Sequence, residues 1–97
     1  MTLDEVIKTI ERNRNAIKAF GVEKLGVFGS VVRGEATDDS DIDFLVQLEN
    51  ETFRAYMGLC FLLEEIFKRK IDLVLIGTVK ERSRKRIFRE VRYVEGF

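Results

Sequence analysis

Residues 26–46, GVFGSVVRGEATDDSDIDFLV, join two apolar runs through a glycine-containing segment. The first run ends at Gly29-Ser30, and the second begins with two acids, Asp41 and Asp43. In the second run apolar and polar residues alternate, which is typical of a strand with one face in the core. An acid at a strand position costs free energy unless something neutralises its charge. The stretch therefore predicts two strands, 24–29 and 41–48, and two acids on one face that need a counter-ion.

The remaining chain supplies the other elements of a small domain. Helical spacing of apolar residues predicts helices over 2–20 and 51–70, and IDLVLIG (71–77) is a third apolar run. The segment from Val79 to about Val94 has the pattern of a basic helix. The order α-β-turn-β-α-β-α predicts an α/β (α+β) fold, with a small mixed three-stranded sheet covered by helices. We expect one domain over residues 1–97.

Composition excludes several classes of protein. The chain has 97 residues, of which 45% are apolar and none is proline, so a compact folded domain is expected. No apolar run reaches the roughly 20 residues that a membrane span needs. The charged N-terminus is atypical of a signal peptide, and a single cysteine, Cys60, allows no intrachain disulfide. These features favour a cytoplasmic protein without membrane contact.

The formal net charge of zero conceals an uneven distribution. Residues 1–51 carry 11 acidic and 6 basic residues, whereas residues 52–97 carry 6 acidic and 11 basic ones. Such polarity favours phosphate-bearing ligands, an acidic partner or self-association. Histidine is absent, so any acid–base chemistry must use carboxylates, lysine, tyrosine or a metal.

The two strand acids have the spacing of metal ligands. Asp41 and Asp43 lie two residues apart, so their side chains point to the same side, about 7 Å apart at Cα. If the third strand lies beside the second, Asp72 joins them on that face. Hard carboxylate oxygens suit magnesium, and Gly29-Ser30 offers a turn whose backbone can approach phosphate. This combination is typical of phosphoryl or nucleotidyl transfer with two metal ions.

GSVVRGEATDDSDIDFLV resembles the nucleotidyltransferase signature of the DNA polymerase beta superfamily: Gly-Ser, ten further residues, then Asp-x-Asp. The short form, with a later acid in IDLVL, is similar to the minimal nucleotidyltransferase family, and the resemblance covers residues 2 to about 94. It implies a polymerase-beta-like fold and ATP as substrate. It also implies an antitoxin that transfers AMP to a tyrosine of a HEPN-type ribonuclease toxin.

The resemblance assigns a role to each candidate residue. Asp41 and Asp43 would bind two magnesium ions, and Asp72 would bind one of them and accept the proton of the attacking hydroxyl. Gly29 and Ser30 would hold the β- and γ-phosphates. Arg33 either reaches the triphosphate or pairs with an acid that holds the loop.

Simpler interpretations stand beside these roles. Asp41 and Asp43 could be surface acids of an edge strand, Asp72 an ordinary strand acid, and Ser30 a helix cap. The basic segment 80–92 could be a solvated helix face, a partner surface or a nucleic-acid-binding module. A rival function is an antitoxin that neutralises its toxin by binding alone.

The second long helix is apolar on every side around Leu59 to Leu63. We expect its apolar girdle, Leu59, Phe61, Leu62 and Ile66, to meet another chain, either a second copy or a toxin. A chain of this size commits most of its apolar residues to one core, so a pocket for a small acceptor is not expected. The acceptor should therefore be a protein.

Overall fold

The computed structural model describes all residues, 1–97. It contains five helices, one 3-10 turn at Ile76–Thr78 and four strands. The helices are α1 Leu3–Arg12, α2 Arg14–Lys18, α3 Ser30–Arg33, α4 Phe53–Phe67 and α5 Glu81–Glu90. The strands are β1 Val22–Phe28, β2 Ile42–Leu48, β3 Ile71–Leu75 and β4 Arg92–Tyr93. The mixed α/β architecture predicted from the sequence is confirmed.

The sheet has the spatial order β3-β2-β1-β4. β1 pairs with β2 and with β4 in antiparallel fashion, whereas β2 and β3 are parallel. The parallel pair follows from the connection, because α4 carries the chain back along the sheet between β2 and β3. β2 therefore lies between β1 and β3, and β3 forms one edge.

The fourth strand corrects the sequence-based prediction of three strands and of a helix to about Val94. α5 ends at Glu90, and Val91 already has an extended backbone with φ −58° and ψ 139°. Val91 and Val94 fit a helical spacing, but they pack into two different hydrophobic clusters. A continuous helical face could not serve both, so the chain straightens and pairs with β1.

The larger hydrophobic cluster lies on one face of the sheet. The alternation in β2 is confirmed, because its apolar set is buried there together with residues of α1, α2 and α4. The rings of Phe44 and Phe67 stand 5.7 Å apart between β2 and α4. The buried set from β2 comprises Ile42, Phe44, Val46 and Leu48.

The smaller cluster lies on the opposite face, which carries the candidate acids. Leu45 of β2 and Phe28 of β1 pack there against Ile87 of α5, with Val79 and Val91 completing the cluster. α5 therefore covers part of the face on which Asp43 lies. Both faces of the sheet are packed within one chain.

The predicted helix over 2–20 is divided into α1 and α2. Asn13, with φ −109° and ψ 16°, interrupts it, and its side-chain amide donates to the Thr9 carbonyl. This side-chain bond satisfies a carbonyl at the end of α1, as expected where a polar side chain competes with helical hydrogen bonding. The two helices still bury the predicted apolar side.

Most of the apolar girdle of α4 packs against the rest of its own chain. This differs from the expectation that the whole girdle contacts another chain. Leu59 is fully buried, and Leu62 and Ile66 are half-buried against the main core. Phe61 is 60% exposed and Phe53 81% exposed.

None of the helices is of a length and apolarity that would allow it to cross a membrane.

Replacing Phe44 by Ala should destabilise the domain by about 3–5 kcal/mol, because it removes a fully buried aromatic ring from the central strand. The matched substitution Phe61→Ala, at an exposed position, should change the free energy of unfolding by less than about 0.5 kcal/mol. Urea denaturation measures both. Equal losses would mean that Phe61 is buried in solution, against a second copy of the chain.

Candidate active site

The three predicted acids lie together on the α5 side of the sheet. Parallel pairing of β2 with β3 sets Asp43 directly opposite Asp72. Asp41 lies just before β2, close enough for its charge to act on Asp43. Asp43 is half-buried, whereas Asp41 and Asp72 are exposed. Asp43 and Asp72 therefore lie side by side near the edge formed by β3, and their convergence with Asp41 on a metal ion stays a prediction.

Crowding changes the protonation of this cluster. Burial, the charge of Asp72, a hydrogen bond with Asp72 and the charge of Asp41 raise the pKa of Asp43 to about 6. At mildly acidic pH the Asp43 carboxyl therefore holds a proton, because its charged form is poorly solvated and lies beside other carboxylates.

The donor set matches a hard divalent cation. Carboxylate oxygens are the ligands that magnesium prefers, and a cation would offset both the burial and the repulsion that raise the pKa of Asp43. No three acidic or cysteine side chains are already arranged as a metal-holding group in this structure. The residues fit the chemistry of magnesium, and the carboxylates would need to reorient to ligate it.

Gly29 allows the turn after β1 to lie against Asp43. Phe28 pairs with Asp43 across the sheet, and Gly29 follows with φ 77°, in the left-handed region. A Cβ atom at Gly29 would overlap the Asp43 carboxylate. Glycine is therefore required here both for backbone conformation and for space.

Ser30 is the first residue of α3, whose N-cap is Gly29, and no side-chain capping hydrogen bond is made. The interpretation of Ser30 as a helix cap is therefore wrong. Its half-buried side chain lies next to the residue that contacts Asp43. The structure places Gly29 against Asp43, with Ser30 as its chain neighbour, and phosphate binding by the two residues stays a prediction.

Arg33 makes ion pairs at the end of α3. Its Nε donates to Glu35 at 2.9 Å and its Nη1 to Glu90 at 2.7 Å. These bonds raise the pKa of Arg33, the one with Glu35 most strongly. The structure thus shows Arg33 paired with acids that hold the loop, which is one of the two predicted roles. The other role, contact of Arg33 with the triphosphate, stays a prediction.

Glu90 is the site residue that the sequence did not indicate. It ends α5, yet its Oε2 accepts the Gly29 N–H at 2.9 Å, across 61 residues of chain. Burial alone would raise the pKa of Glu90, but the bonds from Arg33 and from Gly29 outweigh it and lower that pKa. An acid among the bases of 80–92 carries no sequence signal for such a contact.

The site is an open surface. Neither of the two concavities of the molecule is lined by Asp41, Asp43 or Asp72. The basic side chains of α5 are exposed around the buried Ile87, which fits the solvated-face interpretation of residues 80–92.

Comparison with known proteins identifies the family. Residues 5–94 match the nucleotidyltransferase domain. The chain belongs to this family. It is 38% identical over 96 residues to protein adenylyltransferase MntA of Thermococcus cleftensis, covering 97% of both chains. The resemblance seen in residues 29–43 is thereby confirmed, as is the prediction that the chain is a nucleotidyltransferase.

Solved structures agree with this assignment. A protein described provisionally as a minimal nucleotidyltransferase matches this nucleotidyltransferase with a TM-score of 0.80 and 32% identity, over 95% of each chain. A chain from the complex of a tri-AMPylated Shewanella oneidensis HEPN toxin with an MNT antitoxin matches with a TM-score of 0.60. That match is 18% identical and covers 90% of this chain and 72% of the other, so it shows the fold alone.

The pKa of Asp43 predicts an unusual dependence of stability on pH. Between its ordinary value of 3.8 and about 6, the native state binds more protons than the unfolded state, so stability falls as pH rises. In EDTA, the melting temperature should be higher at about pH 5 than at about pH 7.5. Glu90, whose pKa is lowered, loses its stabilising effect only below its ordinary value of 4.5.

Asp43→Asn should remove this pH dependence and be more stable than the natural chain at neutral pH without metal. Asp39→Asn is the matched control, because Asp39 is an exposed acid outside the cluster. A lower melting temperature of Asp43→Asn in EDTA would show that Asp43 stabilises the fold instead.

Gly29→Ala and Gly34→Ala compare two glycines of positive φ that differ in ψ and in surroundings. Both glycines have positive φ, 77° and 73°, but a Cβ at Gly34 would meet nothing within 4 Å. Gly34→Ala should therefore cost about 1 kcal/mol, the usual penalty for a left-handed non-glycine residue. Gly29→Ala should cost clearly more in urea denaturation, because its ψ of −150° lies in a region that is essentially restricted to glycine and because its Cβ would overlap Asp43. Equal costs would contradict this description of the turn.

Proposed function

We propose that this nucleotidyltransferase transfers AMP from ATP to a hydroxyl group of a partner protein, and that it thereby acts as an antitoxin. The observation that carries the proposal is the placement of Asp43 beside Asp72, with the Gly29-Ser30 turn against Asp43. The relative from Thermococcus cleftensis, similar over nearly the whole chain, is named a protein adenylyltransferase.

Asp41, Asp43 and Asp72 would hold two magnesium ions. Bound metal would supply charge neutralisation of the triphosphate and a lowered pKa of the attacking hydroxyl. Asp43 is half-buried beside the charges of Asp72 and Asp41, so a bound cation would favour its ionised form. The other two acids are exposed and accessible to ligands from solvent.

Asp72 is the candidate general base. It lies on the edge strand β3 and is exposed, so a hydroxyl presented by another protein could approach it. The chain contains no histidine that could take this role. The acceptor oxygen would form a bond to the α-phosphorus, the bond to the β-phosphate oxygen would break, and Asp72 would take the hydroxyl proton.

The Gly29-Ser30 turn would hold the β- and γ-phosphates next to the acids. Since the Gly29 N–H already donates to Glu90, we assign phosphate contacts to Ser30, and to Gly29 the close approach of the backbone. Pyrophosphate would leave from this side, away from the β3 edge.

The acceptor is proposed to be a tyrosine of a HEPN-type toxin in the cytoplasm. An open site without a pocket suits a macromolecular acceptor, and the related Shewanella oneidensis fold is that of a protein bound to an AMPylated HEPN toxin. The exposed basic residues of α5 would favour an acidic partner surface and speed association at low salt. Self-association and nucleic-acid binding by 80–92 are the alternative uses of these charges.

Incubation with ATP, magnesium and the protein encoded beside this one should add AMP masses to that neighbour, seen in intact mass spectra. Asp41→Ala combined with Asp43→Ala should abolish the adduct, because no metal or triphosphate could be held, while Asp39→Ala should retain it. Protection of cells by the double variant, with no adduct from the natural chain, would favour an antitoxin that works by binding alone.

ATP should bind the isolated chain only when a divalent cation is present, because three acids repel a triphosphate. Calorimetry in magnesium and in EDTA measures this. Equal affinity in the two conditions would exclude the metal site, and steeply salt-dependent binding of RNA instead would favour the nucleic-acid function.

A further inference from the structure

Glu90 connects the C-terminal end of α5 to the turn that carries Ser30. Its Oε2 accepts the Gly29 N–H at 2.9 Å, and its Oε1 accepts from Arg33 Nη1 at 2.7 Å. Arg86 lies 3.9 Å from the same carboxylate, which is 12% exposed. One nearly buried acid therefore contacts the residue before α3 and the last residue of α3.

This connection is not what attaches α5 to the sheet. α5 is already packed through Ile87 and its neighbour Val91 against Phe28 and Leu45 in the smaller hydrophobic cluster. Apolar burial of that kind supplies most of the stabilisation of a surface helix. The carboxylate of Glu90 is thus available for a second purpose.

The Gly29 peptide is where orientation matters most for the site. The backbone there has a left-handed φ and lies against the Asp43 carboxylate, so a small rotation would change the distance between Ser30 and the acids. Glycine alone resists such a rotation poorly, because it has the widest conformational freedom of any residue. A charge-assisted hydrogen bond from Glu90 restricts it.

We infer that Glu90 is a positioning residue for the nucleotide: it fixes the Gly29-Ser30 turn against Asp43 and holds Arg33 beside that turn. The inference rests on the proposed function and adds to it a residue from α5. Glu90 acts through Gly29 and Arg33 and contacts no reacting atom.

The experiment measures the Kd of ATP with magnesium by calorimetry for Glu90→Ala and Glu90→Gln. Glu90→Ala should raise the Kd about tenfold or more, because a hydrogen bond to a charged group is lost at the turn. Glu90→Gln keeps an oxygen acceptor for the Gly29 N–H, so its Kd should lie between those of Glu90→Ala and the natural chain. If Glu90→Ala does not fold, Glu90→Gln alone decides.

Glu35→Gln is the matched control. Glu35 also pairs with Arg33, but its side chain is 65% exposed and it does not bond Gly29. An exposed pair of this kind contributes little, so the ATP Kd of Glu35→Gln should stay near that of the natural chain. In turnover, Glu90→Gln should raise the KM for ATP and leave the KM for the acceptor protein unchanged.

Three results would overturn the inference. An unchanged Kd with a lowered melting temperature would mean that Glu90 only stabilises the fold. Tighter ATP binding by both variants would mean that the carboxylate repels the triphosphate. Absence of ATP binding by the natural chain would instead overturn the proposed function, and this inference with it.

Discussion

The parallel pairing of β2 with β3 is the constraint on which the site depends. It sets Asp43 opposite Asp72, and Asp41, just before β2, lies close enough for its charge to act on Asp43. Two carboxylates fixed side by side on a sheet cannot move apart as they could on loops. The rest of the site accommodates this pair: glycine at position 29 leaves room for it, and the edge position of β3 keeps Asp72 open to solvent.

Asp43 and Glu90 show that the surroundings of a carboxyl group, and not the residue type alone, decide its pKa. Asp43 has acidic neighbours and a raised pKa, whereas Glu90 receives hydrogen bonds from Arg33 and Gly29 and has a lowered one. Both lie at the end of β1, on either side of the same turn. The first is suited to a cation that neutralises it, and the second already has its counter-charge within the chain. Asp43 is therefore available to bind a ligand, whereas the carboxylate of Glu90 is already occupied by contacts within the chain.

The sequence was sufficient for features that depend on local pattern. Alternation in residues 41–48 predicted the buried face of β2, and the spacing from Gly29-Ser30 to Asp43 predicted that this turn lies close to Asp43. Features that depend on distant contacts were missed. β4 forms because Val91 and Val94 pack on opposite faces of the sheet. Glu90 accepts a hydrogen bond from Gly29, which is 61 residues away in the chain. The spacing of Val91 and Val94 is the same as in a continuous helix. Only the tertiary structure shows that the two side chains pack into different hydrophobic clusters.

The shortness of β4 affects how this edge of the sheet interacts with other chains. An open sheet edge offers unpaired backbone groups to other chains, and long apolar edges promote aggregation. Here the β1 edge is covered for only two residues, Arg92 and Tyr93, and Lys24 lies over the Tyr93 ring at 5.3 Å. Positive charge at a short edge disfavours the addition of further strands. The short, positively charged edge is therefore a poor template for pairing with a second copy of the domain.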